Sequence, residues 1–223
     1  MPVTLEQLLQ SRDNRAKHQK DLLGEYPGRS LLCMTVQLPG PEKRNRTSLA
    51  IAKAGVQAIR EAFEPTYEEL KDLETGYEAY FLVDLPALET KKRACQIEDT
   101  HPLGRLMDID VLTLPVSENY FSEGFPKNQF SETSTNPPSR PVSGNYFSQG
   151  FVKNQFPETS TRPARVDTVS RLDIGLEARR CLLCDNEVRY CMRAKLHTKE
   201  ELLSRIEQML KEYELQAPNP RTD

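Results

Sequence analysis

The chain has 223 residues, with 30 Lys and Arg set against 33 Asp and Glu for a formal net charge of -3. That length accommodates one good hydrophobic core, or a core with an appendage, and the slight acidity excludes bulk attraction to nucleic acid or to an anionic membrane. Five cysteines, an odd count with no secretion-type leader and no apolar run of membrane-spanning length, lead us to expect a cytoplasmic protein with reduced thiols or metal ligands.

Thr4-Leu5-Glu6-Gln7 reads as a capping box, and Leu5, Leu8, Leu9, Ala16, Leu22 and Leu23 mark a helical stripe that Gly24 can stop. Arg12 and Arg15 lie along this stripe. Either their stems cover the core edge with heads in water, or they lean over an anion site. Residues 29–38 read as a buried strand closed by Pro39-Gly40-Pro41, and a helix follows over 47–63 with Leu49, Ala52, Val56, Ile59 and Phe63 on one face. Lys43, Arg44 and Arg46 between them make a plausible phosphate cradle at a helix N-terminus, although the glycine spacing and Lys-Ser/Thr pair of a Walker loop are absent. Residues 67–73 predict a short helix, Thr75-Gly76 a turn, 78–85 a second buried strand with Asp84 near its end, and 86–95 a helix carrying Lys91, Lys92 and Arg93. His101, just before Pro102, reads as a turn or capping residue.

The most informative stretch is Gly104-Arg105-Leu106-Met107-Asp108-Ile109-Asp110-Val111-Leu112. Its period-two alternation predicts a half-buried strand, on which Asp108 and Asp110 share one face with Cα atoms about 6.5–7 Å apart. Two carboxylates so placed repel unless a cation lies between them. Mg²⁺ held by one or two carboxylates and by substrate phosphates is the usual arrangement. Arg105 adds a bidentate phosphate donor, and Glu98 or Asp84 is a candidate third carboxylate. The alternative is a strand edge whose charges are simply solvated.

Residues 116–125 return almost unchanged as 142–151, 127–130 as 153–156, and 132–135 as 158–161. Two copies are too few for a solenoid, so 115–165 reads as a duplicated low-complexity insertion within a single catalytic domain formed by 1–114 and 166–215. Beyond it come Arg171, another candidate phosphate ligand, and then Cys181, Cys184, Cys191 and His197. The first pair has zinc spacing and the four would complete a Cys₃His set, unless they are buried as small apolar groups beside a helix capped by Asp185. Thr198-x-x-Glu201 is a second capping box, opening a helix with Leu202, Leu203, Ile206, Met209, Leu210 and Tyr213 on its apolar side, and 216–223 reads as a frayed tail. An α+β fold is expected, a small mixed sheet flanked by helices.

In order and spacing these stretches resemble the apo-citrate lyase phosphoribosyl-dephospho-CoA transferase family, the holo-acyl-carrier-protein synthases of citrate lyase. The resemblance rests on Arg12, Arg15 and Gln19; Leu38-Pro39-Gly40-Pro41-Glu42-Lys43; Thr75-Gly76-Tyr77-Glu78-Ala79; the run 97–111; Ser170-Arg171; Arg180-Cys181-Leu182-Leu183-Cys184; and 191–197. It spares only the duplicated insertion. It implies a nucleotidyltransferase-like enzyme in which a serine of the apo acyl-carrier subunit attacks the α-phosphorus of triphosphoribosyl-dephospho-CoA and pyrophosphate leaves. It further implies Mg²⁺ on Asp108 and Asp110, with Glu98 or Asp84 as third carboxylate. Lys43, Arg44, Arg105 and Arg171 would hold the triphosphate, and Arg12, Arg15 and Lys43 would rim the carrier surface. Two rivals remain: the same chemistry on the malonate decarboxylase carrier protein, and a non-catalytic module stapled by zinc with the duplicated aromatics as its binding arm.

Overall fold

Strand pairing organises the molecule. In the computed structural model, which describes residues 2–114 and 166–216, β1 (Ser30–Val36), β2 (Tyr67–Leu73), β3 (Gly76–Val83), β4 (Met107–Thr113) and β5 (Asp167–Val169) form one sheet in the order β2-β3-β1-β4-β5. The α+β class is as expected; every pairing is antiparallel, where a mixed sheet was anticipated. The duplicated segment, and the tail but for Gln216, lie outside the described residues.

The described residues contain five α-helices: α1 (Leu5–Glu25), α2 (Arg46–Phe63), α3 (Ala87–Thr100), α4 (Val188–Ala194) and α5 (Lys199–Gln216). None is long and apolar enough to cross a membrane. One sheet face carries Leu32 and Met34 of β1, Phe81 of β3 and Met107, Ile109 and Val111 of β4, which pack with Ile51, Ile59 and Phe63 of α2 and Ile206 and Met209 of α5. The opposite face carries Leu31, Cys33, Tyr80, Leu82 and Leu112 against Leu22 and Leu23 of α1. Both capping boxes form, Thr4 with Gln7 and Thr198 with Glu201.

Three expectations are corrected. Residues 67–73 form a strand, paired with β3 from Tyr67↔Leu82 to Leu73↔Gly76, where a helix was predicted. Its charged sequence is a poor core strand but suits a sheet edge, and Gly76, at φ 118°, lets the chain turn back sharply. Leu5 and Leu9 of α1 are exposed, and the buried positions are Ser11, Gln19, Leu22 and Leu23. The middle of α1 is thus polar inward because the sheet beneath it is polar. On α2, Leu49 is exposed and Ile51 takes the core position.

The central strand starts at Met107, after a 3₁₀ turn over Gly104–Leu106. A Cβ at Gly104 would lie 2.3 Å from the Ile97 carbonyl oxygen and 2.7 Å from that of Glu98, so only glycine lets the turn lie against the last turns of α3. Gly104→Ala is therefore expected to destabilise the protein by about 1–3 kcal/mol, as overpacking against backbone does. Urea unfolding checks this; unchanged stability would remove the close approach.

Candidate active site

Register assembles the site. Cys33 of β1 is paired with Tyr80 on one side and Asp110 on the other, and Tyr80 with Glu69; likewise Thr35 is paired with Glu78 and Asp108, and Glu78 with Lys71. Two polar rows, Glu69-Tyr80-Cys33-Asp110 and Lys71-Glu78-Thr35-Asp108, therefore run across the sheet on the face that α1 covers. Next to them lies the apolar row Tyr67-Leu82-Leu31-Leu112, which Leu22 and Leu23 seal. Asp108 and Asp110 share one face, as the alternation required.

From α1, Arg15 Nε donates to Glu78 Oε1 at 2.9 Å and Ser11 Oγ to the same oxygen at 3.3 Å, while Tyr80 Oη donates to Glu78 Oε2. His18 Nε2 meets Glu69 Oε2 at 2.5 Å. Burial and the adjacent Glu78 carboxylate push the Tyr80 hydroxyl well above its ordinary pKa, and burial pushes the Cys33 thiol up to about 12, so neither ionises near neutrality. Burial alone would raise Glu69, but the hydrogen bond and charge of His18 hold it below the usual carboxylate range. Between α1 and the β2–β3 hairpin lies a cleft of about 390 Å³ lined by Ser11, Arg15, Lys71, Thr75, Glu78 and Tyr80.

Asp108 Oδ1 accepts from Arg179 Nη1 at 3.2 Å and Oδ2 from Gln37 Nε2 at 3.0 Å. Asp110 has no hydrogen-bond or ion-pair partner among the described residues. Burial, and then the Asp108 charge, raise its carboxyl above the ordinary value, against the smaller pull of Lys91 and Arg15. A half-buried carboxylate with no protein partner among the described residues, beside a second carboxylate on the same face, is a fitting donor set for a hard cation.

The outer edge of β4 explains Glu98. β5 pairs with Val111, Leu112 and Thr113, so among the described residues the first half of that edge has no strand beside it. Side chains take its place: Glu98 Oε1 accepts the Ile109 N–H at 2.9 Å, Lys91 Nζ donates to the Ile109 carbonyl at 2.9 Å, and Arg179 Nη2 to the Met107 carbonyl at 2.7 Å. Glu98 Oε2 accepts from Arg171 at 3.2 Å. Buried, with both oxygens engaged, Glu98 supports the strand bearing the aspartates, whereas the Asp108 side chain stays 39% exposed. Asp84 pairs with Arg29, just before the opposite end of β1 and about 20 Å along the chain direction from the position opposite Asp108, and does not join the site.

Of the basic residues expected at the triphosphate, none is found against the aspartates. Lys43 Nζ donates to the Leu38 carbonyl and closes the Pro39-Gly40-Pro41 turn, where burial lowers its pKa. Arg44 binds Asp72 and Glu74 on the hairpin, Arg105 donates to the carbonyls of Arg180 and Cys181, and Arg171 spans Glu98 and Asp99. Among the described residues Arg12 reaches only its neighbour Asp13. The cations that do approach are Arg15, expected, and Arg179 and Lys91, which sequence reasoning did not assign to the site. Arg179 lies two residues before the first cysteine of the cluster, which is the nearest thing to a signal for it. The cluster itself is assembled: the ligand atoms of Cys181, Cys184, Cys191 and His197 all lie within 4.8 Å of one another.

The family profile described as apo-citrate lyase phosphoribosyl-dephospho-CoA transferase matches residues 3–122 and 162–213. The chain belongs to this family. Its curated relatives include proteins named probable apo-citrate lyase phosphoribosyl-dephospho-CoA transferase from Streptococcus pyogenes serotype M18 and Vibrio cholerae serotype O1 (strain M66-2). The first is 29% identical over 93% of this chain and 85% of that protein; the second is 29% identical over 96% and 94%. The family match breaks off inside the duplicated stretch, and it includes Arg15, Asp108, Asp110, Arg179 and the Cys/His set. The resemblance read from the motifs is thereby shown, and with it a transferase family.

The raised Asp110 carboxyl sets the sign of a pH effect. Because folding favours the protonated form, ionised Asp110 disfavours the folded state above its pKa, and this disappears once folded and unfolded chains are both protonated. Without divalent ions, Asp110→Asn should therefore be more stable than wild type at about pH 8, with the gap closing towards about pH 4. Thermal unfolding across that range checks it; a variant less stable than wild type at the alkaline end would contradict the electrostatics.

Proposed function

We propose that the protein transfers the phosphoribosyl-dephospho-CoA group from triphosphoribosyl-dephospho-CoA to a serine of the apo acyl-carrier subunit of citrate lyase. The seryl oxygen forms a bond to the α-phosphorus, the bond from that phosphorus to the bridging oxygen breaks, pyrophosphate leaves and the seryl proton is lost to solvent. It is nucleotidyl-transfer chemistry and needs no nucleophile from this chain. The observation that carries the reading is Asp110, unpartnered and raised beside Asp108 on one face of β4, in a chain of this family.

Asp108 and Asp110 are the residues that would hold Mg²⁺, which when bound neutralises phosphate charge and orients phosphoryl oxygens. Each carboxylate oxygen of Asp108 keeps a second lone pair beyond its bonds to Arg179 and Gln37. Arg179 and Arg15 are the guanidinium groups that reach the aspartate face, and we assign the developing charge on the departing pyrophosphate to them. The cleft between α1 and the hairpin is within the size range of ligand pockets, and Glu78 on its wall is one strand away from Asp108 through Thr35. It is a fitting receptacle for the body of the donor. Arg12 on the exposed side of α1 remains a candidate contact for an acidic carrier. The acceptor is taken as the citrate lyase carrier because the family name specifies it, and the site is expected to operate in the cytoplasm.

Asp108→Asn and Asp110→Asn should each lower carrier modification at least about 100-fold while leaving the protein folded, the scale on which charge-stabilising groups act. Intact mass of the apo-carrier after incubation with donor and Mg²⁺ reads the outcome. Undiminished modification by both variants would remove the site. Arg179→Met is expected to lower the rate about 10–100-fold, the usual cost of losing a group that orients a ligand.

A further inference from the structure

The segment that delivers Arg179 to the aspartates has no apolar core of its own. Between Cys181 and Glu200 the buried residues are Cys181 and Cys191, while Tyr190, Met192 and Leu196 are exposed. Its fold nevertheless turns tightly. Cys181 N–H donates to the Asn186 carbonyl at 2.7 Å, Val188 N–H to the Arg179 carbonyl at 2.9 Å, and Arg180 bridges Glu187, which makes a small hairpin. The backbone N–H groups of Leu183 and Cys184 face the Cys181 sulfur. Cys191 sits on α4, and Lys195, at φ 49°, reverses the chain so that His197 comes back towards it, with Leu196 N–H on the Cys191 carbonyl at 3.2 Å.

We propose that Cys181, Cys184, Cys191 and His197 bind one structural Zn²⁺, which fixes the loop that presents Arg179 to Asp108. Cys184 Sγ lies 3.5 Å from Cys191 Sγ and 3.3 Å from His197 Nε2. A zinc tetrahedron has corresponding edges of about 3.8 and 3.6 Å, so these two edges lie within a few tenths of an ångström of closure, and all four ligand atoms lie within 4.8 Å of one another. The sulfurs are too far apart for a disulfide, whose bond is about 2.05 Å, and all are free thiols. Soft thiolates with one imidazole select zinc, and four protein ligands leave no position for substrate, which makes the site structural. Small segments without a core need such a staple. The link to the catalytic face is direct: Arg105 donates to the carbonyls of Arg180 and Cys181, and Arg179 Nη2 to those of Arg105 and Met107.

Elemental analysis of the full chain, purified without a chelating tag and dialysed, is expected to give about one zinc per chain. Cys184→Ser and His197→Ala should fall below about one-tenth of that, His197→Cys should retain it, and Cys95→Ala, a buried thiol of α3, should be unaffected. Wild-type protein free of zinc with all five thiols titrating, or full zinc in Cys184→Ser, would overturn the inference. The metal readout is independent of the group transferred; only the second arm rests on the proposed function, with Cys184→Ser expected to lose about 10-fold or more of its carrier modification as Arg179 loses its hold. Stoichiometric zinc in a protein that modifies no carrier would support the metal site and count against the transferase reading alone.

Discussion

Two carboxylates two residues apart on an inner strand impose the constraint around which the rest is arranged. A strand fixes Asp108 and Asp110 on the same side at a separation that the backbone cannot relax, so their repulsion is built into the fold. Asp108 is relieved by Arg179 and Gln37; Asp110 has no such partner among the described residues and is partly withdrawn from solvent. Stability alone gives no reason for such a carboxylate, and its place on an inner strand makes a charged ligand the natural counterpart.

The helix above the sheet shows the same logic. α1 is neither an apolar lid nor a solvated one. Its C-terminal turns bury leucines on the apolar row, and its middle turns lower Ser11, Arg15, His18 and Gln19 onto the polar rows. Every buried side-chain nitrogen and oxygen among the described residues has a hydrogen-bond partner, so this polar layer is satisfied without water being needed inside it. That is why the face can carry charge and still close over the sheet.

On the other side of the aspartates the strand edge is completed by side chains. Glu98 and Lys91 occupy the N–H and carbonyl of Ile109 as a neighbouring strand would, and both are nearly inaccessible to solvent. Arg179 extends this substitute edge from a segment far along the chain, and by binding Asp108 as well it joins the scaffold to the chemistry. The position of the Cys/His cluster just beyond Arg179 ties the order of that segment to the electrostatics of the site.

The sequence by itself determined what depends on short-range periodicity. The same-face placement of Asp108 and Asp110, the capping boxes, the core strand β1, the extent of α2 and the family likeness all follow from local pattern. Only the tertiary structure decided which charges meet. Local propensity made a helix of residues 67–73, because an edge strand of charged residues is recognised only by its partner β3. Glu98, a candidate ligand by its chemistry, is found buried with its oxygens on Ile109 and Arg171. Lys43, Arg44, Arg105 and Arg171 have the right chemistry for phosphate, yet their partners lie on other elements. Arg179, silent in sequence, reaches Asp108 from 71 residues away. Ion pairing is a property of three-dimensional neighbourhood, and no spacing rule along a chain encodes contacts that a duplicated stretch of some 50 residues separates.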